Sequence, residues 1–170
     1  MNNNMANSKL KKALIVIDVQ NCFINKQTSF LPKKIASYIK RNKFDYLLFT
    51  KFINKNNSNF FTILNWRKCT SSPETDIHNE LNKFITKDNL FKKNTYSIFK
   101  AKGFSNFLKK NKITTLYLCG IDTNACVLAS AFEGFDLNYK VKIIESLCFS
   151  HSGKNFHNSA IKIIKKCIEQ

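Results

Sequence analysis

The chain has 170 residues and a formal net charge of +17, and 44% of its residues are hydrophobic and 13% aromatic. That length suits one domain with a sizeable core, and that apolar content excludes an intrinsically disordered chain. The longest apolar run near the start, Ala13 to Ile17, is too short to cross a bilayer, so no membrane partner is expected.

Residues 1–12 are polar, rich in Asn and Lys, and lack an apolar segment. They read as a disordered tail rather than a secretory leader, and a cytoplasmic location follows by default. Lys12-Ala-Leu-Ile-Val-Ile-Asp18 is a continuous apolar run ending on a carboxylate, the pattern of a parallel strand buried on both faces. Pro32 to Arg41 predicts a helix, with Ile35, Ala36, Tyr38 and Ile39 apolar. Phe44 to Phe49 predicts a second strand, followed by Thr50 to Asn54 and a polar loop to Asn59. Phe60 to Trp66 has room for a turn of helix, Cys69 to Pro73 reads as loop, and Thr75 to Ile85 predicts a helix with Ile77, Leu81 and Phe84 on one side.

Asn89 to Phe99 predicts a short third strand and a turn, and Gly103 to Asn111 a helix with Phe104, Phe107 and Leu108 inward. Thr115 to Cys119 is a fourth strand, broken by Gly120, and Asp122, Thr123 and Asn124 are helix-start residues. Apolar residues at Val127, Leu128, Ala131, Phe132 and Phe135 continue as that helix. Val141 to Ile144 predicts a fifth strand, ending in Glu145-Ser146, and Ser152 to Cys167 a closing helix. Strands alternating with helices predict an α/β three-layer sandwich, with a mainly parallel sheet of five or six strands and helices on both faces, in a single domain over 13–170.

The positive charge invites a nucleic-acid reading, but lysine is scattered as single residues and pairs with no long basic block. The joint abundance of Asn, Lys, Ile and Phe is what AT-rich codons produce, so no specific nucleic-acid partner is expected. Six cysteines, at 22, 69, 119, 126, 148 and 167, show no CxxC and no regular framework, and reduced thiols are the expectation. With only three histidines, His78, His151 and His157, a structural zinc site is not expected.

Cys126 falls in the first turn after a strand-to-helix break. Unpaired backbone N–H groups and the positive end of a helix dipole there favour a thiolate and can hold a developing oxyanion. The competing reading is a small buried apolar residue. Asp18, Lys93 and Cys126 all follow strand-like runs, and the carboxyl ends of strands in a doubly wound sheet lie on one edge. A carboxylate beside a thiol can take its proton, and a lysine keeps the carboxylate ionised and offsets negative charge nearby. Nucleophile, base and cation together suffice for acyl transfer from a small amide.

These residues carry a resemblance to the isochorismatase-like cysteine hydrolases, the superfamily that includes nicotinamidase and N-carbamoylsarcosine amidase. Leu14-Ile-Val-Ile-Asp-Val-Gln-Asn-Cys-Phe23 resembles the family's opening strand, whose aspartate is the general base. Lys93-Asn-Thr-Tyr-Ser-Ile-Phe99 resembles its K-x-x-Y-S-x-F, which begins with the catalytic lysine. Cys119-Gly-Ile-Asp-Thr-Asn-Ala-Cys-Val127 resembles G-[VI]-x-T-[ND]-x-C-V, which carries the nucleophile. The resemblance implies sheet order 3-2-1-4-5-6, a cis peptide at Ile121–Asp122, and an oxyanion hole from the Asp122 and Cys126 N–H groups. It implies a metal after the second strand in nicotinamidases. Here Thr50-Lys-Phe-Ile-Asn-Lys-Asn-Asn-Ser58 has neither histidine nor carboxylate, and Asn54 or Ser58 would be weak ligands for zinc. Cys22 stands where the family has a second acidic residue, Glu145 stands for a common aspartate, and the chain stops near where a sixth strand would begin.

The expectation is therefore a metal-independent, cofactor-free cysteine hydrolase acting on a C–N bond of a small amide, ureide or carbamoyl compound. Its triad is Asp18, Lys93 and Cys126, and its candidate pocket walls are Phe23, Phe52, Trp66 and Tyr96. A small-molecule substrate and a homo-oligomer are the expected partners. Isochorismatase-type vinyl-ether hydrolysis and a catalytically silent basic binding module are the alternatives.

Overall fold

The computed structural model of the chain describes residues 10–169. Five parallel strands form one sheet: β1 (Lys11–Ile17), β2 (Tyr46–Phe52), β3 (Leu90–Lys93), β4 (Ile113–Gly120) and β5 (Lys140–Cys148). Their order is β3-β2-β1-β4-β5, and no sixth strand occurs among the described residues. Around the sheet pack α1 (Leu31–Arg41), α2 (Asn59–Thr62), α3 (Phe104–Lys110), α4 (Leu128–Asp136) and α5 (Lys154–Cys167). The central position of β1 explains its unbroken apolar run, because every residue from Ala13 to Ile17 is buried and neither face meets water.

Each long helix has a reason in the sequence. Pro32 lies in the first turn of α1, Lys40 and Arg41 in its last, and Leu31, Ile35 and Ala36 form its buried face. Burying a leucine or isoleucine fully, as at Leu31 and Ile35, stabilises by about 1.5–3 kcal/mol per side chain. Phe104 and Leu108 anchor α3, and Ala160, Ile161 and Ile164 anchor α5.

The contact that positions everything downstream is between the ends of β1 and β4. Ile17 pairs with Gly120, whose φ is +124°, and a Cβ at Gly120 would lie 2.1 Å from the Ile17 carbonyl oxygen. No side chain fits there. The two strands therefore close on each other, Ile121 N–H donates to Ile17 O at 2.9 Å, and Asp18 and Asp122 leave the sheet side by side.

Several expectations are corrected. The expected tail over residues 1–12 lies outside the described residues up to residue 9, and Lys11 and Lys12 already belong to β1. β2 lies later than Phe44–Phe49 because its pairing with β1 runs from Tyr46 to Thr50 and its pairing with β3 runs on to Phe52, opposite Lys93. β5 continues past Glu145 to Cys148, which pairs with Gly120 after an irregularity, and α5 starts at Lys154 rather than Ser152. The helix expected from Val127 to Phe135 is present as α4, which buries Ser130, Ala131 and Gly134 and leaves Phe135 exposed.

The expected helix over Thr75–Ile85 is only a 3-10 segment, Asn79–Phe84. Residues 74–78 are pinned instead to the segment after β1, with Asn21 N–H on Asp76 O, Cys22 N–H on Glu74 O and His78 N–H on Val19 O. This pinning also overturns the expectation of six reduced thiols. It brings the Cα atoms of Cys22 and Cys69 to 5.7 Å, within normal disulfide range, and the two are bonded. The bond ties the segment carrying Phe23 to the loop carrying Trp66. Titration of the unreduced protein in denaturant should count the four free thiols, at 119, 126, 148 and 167. Reduction should lower stability by about 4 kcal/mol on the chain-entropy model for a 47-residue separation. A count of six thiols before reduction would remove the bond.

Candidate active site

Asp18 is the first residue beyond β1, at φ 49°, in the left-handed region that few non-glycine residues occupy. Thr50, in β2, donates its hydroxyl to Asp18 Oδ1 at 2.7 Å and accepts the Asp18 N–H at 3.3 Å. Lys93 ends β3, two strands away, and reaches across the end of β2 over the Phe52 ring. Its ammonium meets Asp18 Oδ2 at 2.5 Å, Cys126 Sγ at 3.4 Å and Thr95 O at 2.8 Å, one partner for each hydrogen. The side chains of Asp18 and Lys93 are both 0% exposed. Among the described residues Asp18 Oδ2 has no hydrogen-bond partner beyond this ion pair, which leaves it able to accept the thiol proton.

Cys126 lies in a π-helical turn, Thr123–Val127, that leads into α4. Ser130 Oγ donates to Cys126 O at 2.6 Å and accepts the Ile98 N–H at 3.1 Å, tying this turn to the segment that follows Lys93. Burial pushes the Cys126 thiol well above its ordinary range. Lys93 pulls it down and Asp18 pushes it up, and burial prevails. The helix start alone favoured a thiolate, but here desolvation outweighs the dipole and the resting group is a thiol. Burial by itself would lower Lys93, yet Asp18 and Cys126 outweigh it and the amine is held charged above its usual range.

The peptide between Ile121 and Asp122 is cis. Among the described residues nothing accepts a hydrogen bond from the Asp122 N–H. Its carboxylate turns to His151, taking the backbone N–H at 2.7 Å on Oδ1 and the ring Nδ1 on Oδ2. Cys126 opens onto a cavity of about 350 Å³ whose walls include Phe23, Phe52, Trp66 and Tyr96, so the four residues expected at the pocket do meet there. Phe23 stacks on Trp66 at 6.0 Å and 15°, and Phe60 meets Tyr96 edge-on at 4.7 Å. A larger groove, about 750 Å³, runs along β5 and contains none of the triad.

The residues after β2 do not fit a transition metal. Asn54 Oδ1 accepts from Ser58 Oγ at 2.7 Å, and its Nδ2 donates to Trp66 O at 2.7 Å and Lys68 O at 3.2 Å. Both side chains are spent on each other and on the loop, and among the described residues no cluster of three His, Cys, Asp or Glu could hold an ion.

Some contributors escaped the sequence reading. Thr50, which orients Asp18, and Gln20, which brackets Phe52 by accepting its N–H at 2.6 Å and donating to its carbonyl at 2.8 Å, carry no signal beyond lying at strand ends. Ser130 sits one helical turn after Cys126, and that spacing was the available clue. Phe60, Asn124 and His151 also line the cavity.

An isochorismatase domain model matches residues 12–170. No curated protein matches the chain in sequence. Among solved structures, an isochorismatase-like hydrolase from Alkaliphilus metalliredigens is 22% identical with a TM-score of 0.78, over 92% of this chain and 91% of that one. The nicotinamidase of Bacillus subtilis is 22% identical with a TM-score of 0.80, over 94% and 97%. N-carbamoylsarcosine amidase from Thermoplasma acidophilum is 18% identical with a TM-score of 0.76, over 94% of each chain. At these identities the likeness is one of fold.

The charge balance around the thiol gives a test with opposite signs. Iodoacetamide should label Cys126 slowly at neutral pH, with a rate still climbing above pH 9, since the thiolate forms only well above the ordinary range. Asp18→Asn removes a group that raises the thiol and should speed labelling roughly tenfold, while Lys93→Ala removes one that lowers it and should slow labelling by a similar factor. Equal rates in all three proteins would mean the groups do not interact.

Proposed function

We propose, from the premise that the chain belongs to the isochorismatase family of hydrolases, that it is a cysteine hydrolase cleaving a C–N bond of a small amide, ureide or carbamoyl compound. The observation that carries the reading is the contact of Lys93 with both Asp18 and Cys126 at the base of an aromatic cavity.

Substrate lies in the cavity with its carbonyl carbon against Cys126 Sγ. Asp18 takes the thiol proton as the C–S bond forms, so charge separation is confined to the moment of attack. The resulting oxyanion is held by the N–H groups of Asp122 and Cys126. Lys93 remains an ammonium throughout and offsets the negative charge as it moves from Asp18 to sulfur and oxygen. Collapse breaks the C–N bond, and protonated Asp18 delivers its proton to the departing nitrogen. Water, deprotonated by Asp18, then attacks the thioester, releasing the acid or carbamate and restoring the thiol. A cavity of about 350 Å³ with stacked aromatic walls suits a small, flat or apolar substrate body.

Vinyl-ether hydrolysis needs a proton donor at Asp18 and no thiol, so it leaves the Lys93–Cys126 contact without a use. A silent basic module leaves the buried ion pair without one.

Cys126→Ala should abolish hydrolysis while preserving the unfolding midpoint, and Asp18→Asn should lower kcat by about 10²–10⁴. Intact-mass spectrometry of wild type with an amide library should show an acyl adduct on Cys126. Turnover in Cys126→Ala, or an adduct on another cysteine, would sink the mechanism. Because Asn54 and Ser58 are committed to each other, exhaustive chelation should leave turnover unchanged. Activity lost on chelation and restored by zinc or manganese would contradict that.

A further inference from the structure

The pocket contains a second polar arrangement that the hydrolytic steps do not use. Asp122 and His151 both line the cavity, on the segments after β4 and after β5. Asp122 is nearly buried, His151 is 42% exposed, and the imidazole centroid lies 6.0 Å from the Phe23 ring. The histidine is held on two sides, because Asp122 Oδ1 accepts its backbone N–H at 2.7 Å and Asn25 Nδ2 donates to its carbonyl at 2.8 Å. A carboxylate only accepts, so the Asp122 contact places a hydrogen on Nδ1. Among the described residues Nε2 has no partner. When the ring is protonated, Nε2 is a donor left unused on a ring that faces substrate. Asn124 Oδ1, also on a residue lining the cavity, is buried and unpartnered.

We propose that His151, held by Asp122, is a specificity-determining residue whose Nε2–H donates to a hydrogen-bond acceptor on the substrate body, away from the scissile carbonyl. The preferred substrate is then an amide or ureide with a small flat body carrying such an acceptor, which is either a carboxylate or a neutral ring nitrogen or carbonyl. This rests on the hydrolytic reading of the same cavity and adds to it the feature that sorts substrates.

The charged and titratable groups facing His151 are few. Asp122 raises its basicity through the Nδ1 contact, burial opposes this, and Lys68 opposes it from the loop after β2; the net effect holds the ring protonated above its ordinary range. Cys126 and Tyr96, whose phenol burial pushes up, share the cavity. They and the rest of the triad act alike on neutral amides, so a ratio between two neutral substrates cancels them, and a His151 variant that leaves them in place isolates His151 for an anionic one.

The test compares kcat/KM for benzamide with that for a pyridine carboxamide, which supplies a neutral acceptor, and a carboxybenzamide, which supplies an anionic one. Wild type should favour at least one acceptor-bearing amide over benzamide by roughly tenfold or more. The favoured arm identifies the acceptor. His151→Leu should bring that ratio close to one, chiefly through KM, and His151→Gln, which keeps a donor, should restore part of it. The ratio in wild type should fall as pH rises through the raised pKa of His151, and Asp122→Asn should move that fall to lower pH. A preference that survives in His151→Leu, or that ignores pH, overturns the proposal. If wild type hydrolyses none of these amides the hydrolytic reading fails instead. Calorimetric binding of the same three probes to wild type and His151→Leu then decides the recognition claim alone: weaker binding of the acceptor-bearing probe in the variant supports it, and unchanged binding overturns it.

Discussion

The ion pair between Asp18 and Lys93 is the constraint from which the rest of the site follows. Both side chains are fully buried, and Lys93 is the one buried lysine among the described residues of a very basic chain. Neither charge is tolerable there alone; breaking a buried pair by removing one partner costs about 3–5 kcal/mol. The pair needs three strand ends to coincide, because β1 supplies the carboxylate, β3 the ammonium, and β2 between them supplies Thr50 as a brace and Phe52 as a wall. Fold and site are therefore stabilised by the same contacts.

The buried thiol completes this arrangement. A permanent thiolate would stand as a second anion beside Asp18, with one ammonium to serve both. With burial holding the proton on sulfur, the resting site has one negative and one positive charge. In the proposed reaction a second negative charge appears only transiently, when sulfur attacks, and moves at once onto an oxygen beyond the ion pair. The same burial makes the sulfur a poor target for stray oxidants and alkylating agents.

Much of this was legible in the chain. A run of five apolar residues ending on aspartate identifies a central strand because only a strand buried on both faces tolerates it. Asp18 and Lys93 were legible as site positions because they lie at strand ends, where an open parallel sheet has its crevice. The disulfide was not legible, since 47 residues separate its cysteines and they meet only because residues 74–78 pair with the segment after β1. The segment 75–85 carries a helical pattern, but backbone bonds to residues 19–22 override it. The apolar spacing placed α4 but not its inner face, because the helix packs closely through Gly134, where the signal is the absence of a side chain. His151 gave no signal at all, being a polar residue in a loop whose meaning comes from Asp122, 29 residues earlier.

The clearance at Gly120 also decides which changes such a chain can accumulate over generations. The composition, heavy in lysine, asparagine and isoleucine, reads as that of a lineage drifting under codon bias, and helix surfaces absorb that drift freely. Position 120 cannot. Any codon change away from glycine places a carbon against the Ile17 carbonyl and forces apart the two strands that lead to Asp18 and Cys126. The spacing of those two groups is consequently inherited through backbone contact rather than through side-chain choice. It is a fixed point in the gene, set by backbone clearance alone.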